Sequence, residues 1–178
     1  MESDSEVFEM GTKTIHVTHI VGGDITITTG SSEPTAPNGK VLYKTSTDGE
    51  WLESDADIED GTFNGFNEKD SAVAVIIPSK DVDGNDVTRI GMEAFFRCYD
   101  LMSVTIPNSV TSIGTYAFYS CNFTELTIPD SVTSIEDYAF TECRNLTSMT
   151  FLGKTLAQVQ GMTNYPWGIS NTSIITVA

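Results

Sequence analysis

The chain has 178 residues, 39% of them hydrophobic, enough for one ordinary domain or a small domain with an appendage. Its 25 acidic against 9 basic residues give a formal charge of -16, which repels a phosphate backbone and argues against nucleic acid as a partner. No run approaches the ~20 apolar residues of a membrane helix, and "ESDSEVFEMG" after Met1 lacks the basic and apolar parts of a secretion signal.

Acidic residues crowd the start, at Glu2, Asp4, Glu6 and Glu9, and read as solvated surface. "KTIHVTHIVGGDITITTG" then alternates on both sides of "VGGD", with Ile15, Val17, Ile25 and Ile27 apolar, and predicts a hairpin or a pair of edge strands. "GSSEPTAPNG", Gly30 to Gly39, has the composition of a linker. Residues 1–40 are thus expected to form an N-terminal β-hairpin or docking segment with its linker. An isolated hairpin is marginal in water, so this one should pack on the rest of the chain or on another molecule.

Residues 41–153 read as a run of repeats. After a second acidic crowd, Glu50 to Asp60, "IEDGTFNGF" from Ile58 to Phe66 and "AVAVIIP" to Pro78 form a worn copy, with Phe63 at the offset of Phe95. Three clearer copies follow: "VTRIGMEAFFRCYDLMSVTIP", "VTSIGTYAFYSCNFTELTIP" and "VTSIEDYAFTECRNLTSMTF". Their first residues, Val87, Val110 and Val132, lie 23 and 22 residues apart. The same offsets stay apolar in each copy, as at Ile113, Phe118, Cys121, Phe123, Leu126 and Ile128. The residue missing from the second copy falls just after Cys121, where a tight turn absorbs it.

Within a copy, "SVTIP" alternates like a strand with one wet and one buried face, and Pro107 ends it. "VTSIG" is a second short extended piece, and "YAFYSC" predicts a single turn of helix or 3₁₀ helix. A lone coil cannot bury these faces, whereas stacked copies can, and about four coils suffice for a continuous core. In residues 154–178, Thr155 should cap a short helix with Leu156, Val159 and Met162 on one face. Ile174, Ile175 and Val177 predict a last strand, and the segment reads as a C-terminal cap.

Candidate chemistry is sparse. Cys98, Cys121 and Cys143 come one per coil, the wrong spacing for zinc, and read as a ladder of buried hydrophobes, with a disulfide between adjacent coils as the alternative. His16 and His19 fall on opposite faces of a strand. "DVDGND", Asp81 to Asp86, has its glycine two positions early for a calcium loop and no closing glutamate, so it reads as a polar turn. The serines have no base beside them that would make a nucleophile. Asn122, Asn145 and Asn171 match the glycosylation acceptor pattern, which matters only in a host that reads it. No catalytic residue, metal ligand or cofactor site is expected.

The phrase "SVTIPNSVTSIGTYAFYSC" and its return as "ELTIPDSVTSIEDYAFTEC" resemble the BspA-type leucine-rich repeat of bacterial surface, protozoan surface and phage particle proteins, over roughly Ile58 to Phe151. The resemblance implies a right-handed, mainly β solenoid with a parallel sheet on its concave face, recognition by exposed surface, and no catalytic residues to transfer. Two functions follow as expectations. One is a recognition or adhesion module, extracellular or on a cell surface, that binds a protein or glycan through Ser103, Thr105, Glu125, Thr127, Ser148 and Thr150, presented side by side on the strand ladder. The other is a structural part of a phage particle, a decoration or fibre protein docked to other particle proteins by residues 1–40. Neither needs a membrane span, and the oligomeric state is left open.

Overall fold

The computed structural model describes the strands Ser5–Met10 and Lys13–Thr18 and all residues from 33 to 178. The chain divides into two compact units, Met1–Pro34 and Thr35–Ala178. In the first, β1 (Ser5–Met10) and β2 (Lys13–Thr18) pair antiparallel, with Met10 opposite Lys13. β2 thus takes a partner from the acidic segment before it, a pairing that the sequence reading did not anticipate. The arm with Ile25 and Ile27 lies outside the described residues.

The second unit holds β3 (Lys40–Lys44), β4 (Leu52–Glu59), β5 (Thr62–Phe66), β6 (Ala74–Ile76), β7 (Arg89–Ile90), β8 (Ser103–Thr105), β9 (Ser112–Ile113), β10 (Glu125–Ile128), β11 (Ser134–Ile135), β12 (Ser148–Phe151), α1 (Leu156–Gln160) and β13 (Ile175–Val177). It is a mainly β solenoid of about 5 turns. Each full coil gives one strand to each of two parallel ladders. The first ladder contains β6 and β8, then β10, β12 and β13; the second runs β5, β7, β9, β11.

The repeated apolar offsets turn inward and stack on their own copies. Phe63, Phe95, Phe118 and Phe140 form one column, with successive ring centroids 5.6, 5.2 and 5.6 Å apart, all buried. Backbone register sets Phe63 opposite Ile90, not at the offset of Phe95, because the first coil is shorter there; its ring nonetheless leans onto Phe95. Gly114 lets neighbouring coils touch: a Cβ there would lie 2.8 Å from the Met92 nitrogen.

The third side of the coil departs from expectation. "YAFYSC" forms no helix and runs instead as successive turns. Tyr119 N–H and Cys121 N–H close local turns on the carbonyls of Tyr116 and Phe118, while Phe118 N–H and Ser120 N–H donate to Ala139 and Thr141 of the next coil, at 2.9 and 3.0 Å. Alternating local and inter-coil bonds require left-handed backbone at Tyr116 and Ser120 (φ 54° and 57°), repeated at Glu93 and Arg97 and at Tyr138 and Glu142. Such a conformation costs an L-residue roughly 1–2 kcal/mol; the inter-coil bonds and the aromatic column offset it.

Both ends are closed by departures from the repeat. At the start, β3 pairs antiparallel with β4 and with β6, and β4 with β5, so one hairpin joins the two ladders. Glu59 faces Thr62 across Asp60 and Gly61, both at positive φ (48° and 71°), as a two-residue Asp-Gly hairpin turn needs. At the other end, the expected cap over 154–178 itself runs as a coil. Phe140 N–H donates to the Trp167 carbonyl at 3.1 Å, and β13 extends the first ladder. The capping helix α1 is present: Thr155 and Gln158 form a capping box, and Val159 is buried.

Candidate interaction surface

The outward face of the first ladder is built by strand alternation. In β10, Leu126 and Ile128 are buried while Glu125 and Thr127 are exposed, and β12 repeats the pattern with Met149 and Phe151 buried. Parallel register sets Thr127 beside Thr150 and Thr150 beside Thr176, with Glu125 beside Ser148. The Thr150 and Thr176 hydroxyls are 3.0 Å apart, and Thr176 also donates to the Met149 carbonyl. Thr176 therefore extends the row of hydroxyls; the sequence reading stopped short of it because "IITV" lacks the rest of the repeat.

Of the six residues expected to make contacts, Ser103, Glu125 and Thr127 are exposed, whereas Thr105, Ser148 and Thr150 are half-buried. The first ladder is interrupted between them. Ser103 and Thr105 lie on β8, at the edge of the eight-stranded sheet, and the other four lie in the separate sheet of β10, β12 and β13. The residue missing after Cys121 explains the break. Asn122 N–H donates to the Leu101 carbonyl at 3.1 Å, and the shortened turn starts β10 out of step with β8. On the outer side of this turn, Asn145 Nδ2 donates to Asn122 Oδ1 at 2.5 Å, so two acceptor-pattern asparagines bind each other.

At its N-terminal border the face becomes apolar. The outward positions level with Thr105 are Ile76 and, beyond it, Leu42. They form a small cluster with Ala36, against which Trp51 packs, and Lys44 Nζ stands 4.9 Å over the Trp51 ring. The acidic composition around Trp51 concealed its place at this border.

The second ladder carries a clamp across three coils. Arg89 pairs with Glu136, whose other oxygen accepts from Thr115 N–H at 3.1 Å and Thr115 Oγ1 at 2.9 Å. Burial pushes the Glu136 carboxyl up, but the Thr115 hydroxyl and the Arg89 charge outweigh it and hold the group below its ordinary value.

The three thiols are free. Cys121 Sγ donates to the Phe95 carbonyl at 3.2 Å and Cys143 Sγ to that of Phe118 at 3.0 Å, so the cysteine row ties each coil to its predecessor. Burial pushes Cys98 and Cys143 up to about 12, and raises Cys121 as well, which keeps the thiolate and its nucleophilicity out of reach.

In the Asp81 turn, Asp81 Oδ1 accepts from Asp83 and Asn85 N–H, and Lys80 Nζ bonds Asp86 at 2.8 Å. These carboxylates serve the loop itself. Among the described residues no group of three or more His, Cys, Asp or Glu could hold a metal ion, and no helix is long and apolar enough to cross a membrane. His16 lies in β2, and His19 lies outside the described residues.

The sequence model of the BspA type leucine rich repeat region matches residues 57–174 in 6 copies. Among solved structures, a leucine-rich repeat protein of T. pallidum is similar at 16% identity and a TM-score of 0.33, over 70% of this chain and 83% of that one. A leucine-rich repeat protein from Bacteroides ovatus is similar at 20% identity and a TM-score of 0.25, over 66% of this chain and 49% of that one. No curated protein matches the chain.

Proposed function

This chain belongs to the BspA-type leucine-rich repeat family, and from that membership we propose that it is a recognition or adhesion module, binding a protein or glycan at a cell surface without metal, cofactor or catalysis. The observation that carries this reading is the outward face of the first ladder. Thr127, Thr150 and Thr176 stand side by side in register above a core that the inward Leu126, Met149 and Ile175 already fill. Side chains that the fold does not need are thus held at fixed spacing by a rigid scaffold, the usual situation of binding residues.

The test is binding of the labelled chain to arrayed glycans and extracellular proteins, with and without a metal chelator, beside the double variant Ser103→Arg, Thr127→Arg. Binding that survives chelation and is lost in the variant supports the reading. Loss on chelation, or retention in the variant at an unchanged melting temperature, counts against it.

A second reading, a particle component docked by its N-terminal segment, is favoured by the separation of Met1–Pro34 as a compact unit. It expects that deleting residues 1–34 leaves a folded solenoid that no longer joins its assembly.

A further inference from the structure

We propose that the turn side of the coils binds an arginine-bearing segment of a partner protein on a row of aromatic rings that ends at Tyr138. Four rings join across three consecutive coils there. Phe96 stacks on Tyr119 at 4.9 Å, Tyr119 meets Tyr116 edge to face at 5.7 Å, and Tyr116 stacks on Tyr138 at 5.3 Å. None of the four is buried, and Tyr138 is 52% exposed. The core does not need them, because the inward column of Phe95, Phe118 and Phe140 already fills these coils.

The backbone makes the presence of these rings informative. Tyr116 and Tyr138 stand at left-handed positions (φ 54° and 59°), where glycine or asparagine is the less costly choice. Glu93, at the same offset one coil earlier and also left-handed, shows that the fold requires no aromatic residue there. Two coils thus carry a bulky ring at an unfavourable position and turn it to the surface. Rings held against one another lose little freedom when a partner arrives, and tyrosine is among the side chains that dominate protein interfaces.

Arg97 shows what such a ring accepts. Its guanidinium lies over Phe96, 5.1 Å from the ring centroid, within the range of a cation–π contact. At the other end of the row, among the described residues, no cation covers Tyr138. The charges beside that end are carboxylates: Asp137 precedes Tyr138, and Glu93 lies in the column of Tyr116 and Tyr138. Both are exposed, and neither forms an ion pair among the described residues. A guanidinium over Tyr138 therefore finds a ring and a carboxylate together, and the chain's charge of -16 draws it in. A neutral glycan would use the rings but leave the carboxylates unmatched.

Fluorescence anisotropy of a labelled peptide of alternating arginine and serine, titrated with the full chain at physiological salt, tests this. A citrulline version of the peptide keeps the planar side chain without its charge. The expected result is binding of the arginine peptide alone, weakened about tenfold or more by Tyr138→Asn, and retained in Tyr138→Phe and in Asp57→Asn on the distant β4. Asparagine tolerates the left-handed backbone, so the melting temperatures should stay alike. A wild-type chain that does not bind the arginine peptide overturns the proposal, as does binding that Tyr138→Asn leaves unchanged, which would mark a diffuse attraction to the acidic surface. Binding of cellohexaose in place of the peptide, lost in Tyr138→Asn, would make the row a glycan platform and overturn it equally. The row lies on a different side of the coil from Thr127 and Thr150, so these outcomes are independent of binding at the first ladder.

Discussion

Phe118 sits in the middle of the aromatic column, stacked between Phe95 and Phe140 and fully buried. Phe118→Ala should cost about 3–5 kcal/mol in denaturant unfolding, while Thr127→Ala, on the exposed face, should change stability by less than about 0.5 kcal/mol. Equal effects would show that the inward and outward assignment is wrong. Glu136 gives a pH-dependent counterpart. Its folded carboxyl titrates below the ordinary 4.5, so its contribution is present above that value and disappears as pH falls through the folded one. Glu136→Gln should therefore be less stable than the wild type at neutral pH, by no more than about 1 kcal/mol because solvent screens the pair, and the gap should close in acid. A gap that widens in acid would contradict the Arg89–Glu136–Thr115 clamp. At this scale the sequence was most legible for the buried rows, since Phe and Cys recur at fixed offsets. It was silent on Tyr116 and Ser120, whose left-handed backbone runs against the preference of L-residues and is imposed by the neighbouring coils.

Between elements, the weak point is the seam where β8 and β10 fail to pair. Strands that share a ladder protect one another's amides, and an interrupted ladder opens more readily. Amide exchange should therefore be faster at Val104, the β8 amide turned away from β6, and on the β8-facing side of β10 than in β12, which has β10 on one side and β13 on the other. Uniform protection across the three strands would mean that the ladder is continuous in solution. The deletion after Cys121 was visible in the repeat spacing, but its consequence was not: a one-residue loss can vanish into a loop or offset a strand, and only the neighbouring coil decides which. The β3–β4 hairpin was missed for a different reason. Its outward Glu53, Asp55, Asp57 and Glu59 gave a strong charge signal, while inward Ser54, Ala56 and Ile58 gave a weak apolar one. "DG" at Asp48 and Gly49, between the two strands, was the turn signal that pointed to it.

For the whole molecule, repetition made the solenoid readable, because each copy is meaningful only as the wall of the next. The ends were hard to read for the same reason, since a terminal coil has one neighbour and must break the pattern to close the core. Trp167, buried against Phe151 at 5.5 Å, closes the C-terminal end with a residue that no other coil uses there. The scaffold so built offers several surfaces, of which the outward face of the first ladder is the proposed partner contact. The direct test compares two double variants on the same glycan and protein arrays: Ser103→Arg with Thr127→Arg on that face, and Thr111→Arg with Thr133→Arg, also exposed, at the start of the second ladder. The first pair should abolish binding and the second leave it intact, both with wild-type melting temperatures; binding that survives the first pair and fails in the second would contradict the proposed contact face.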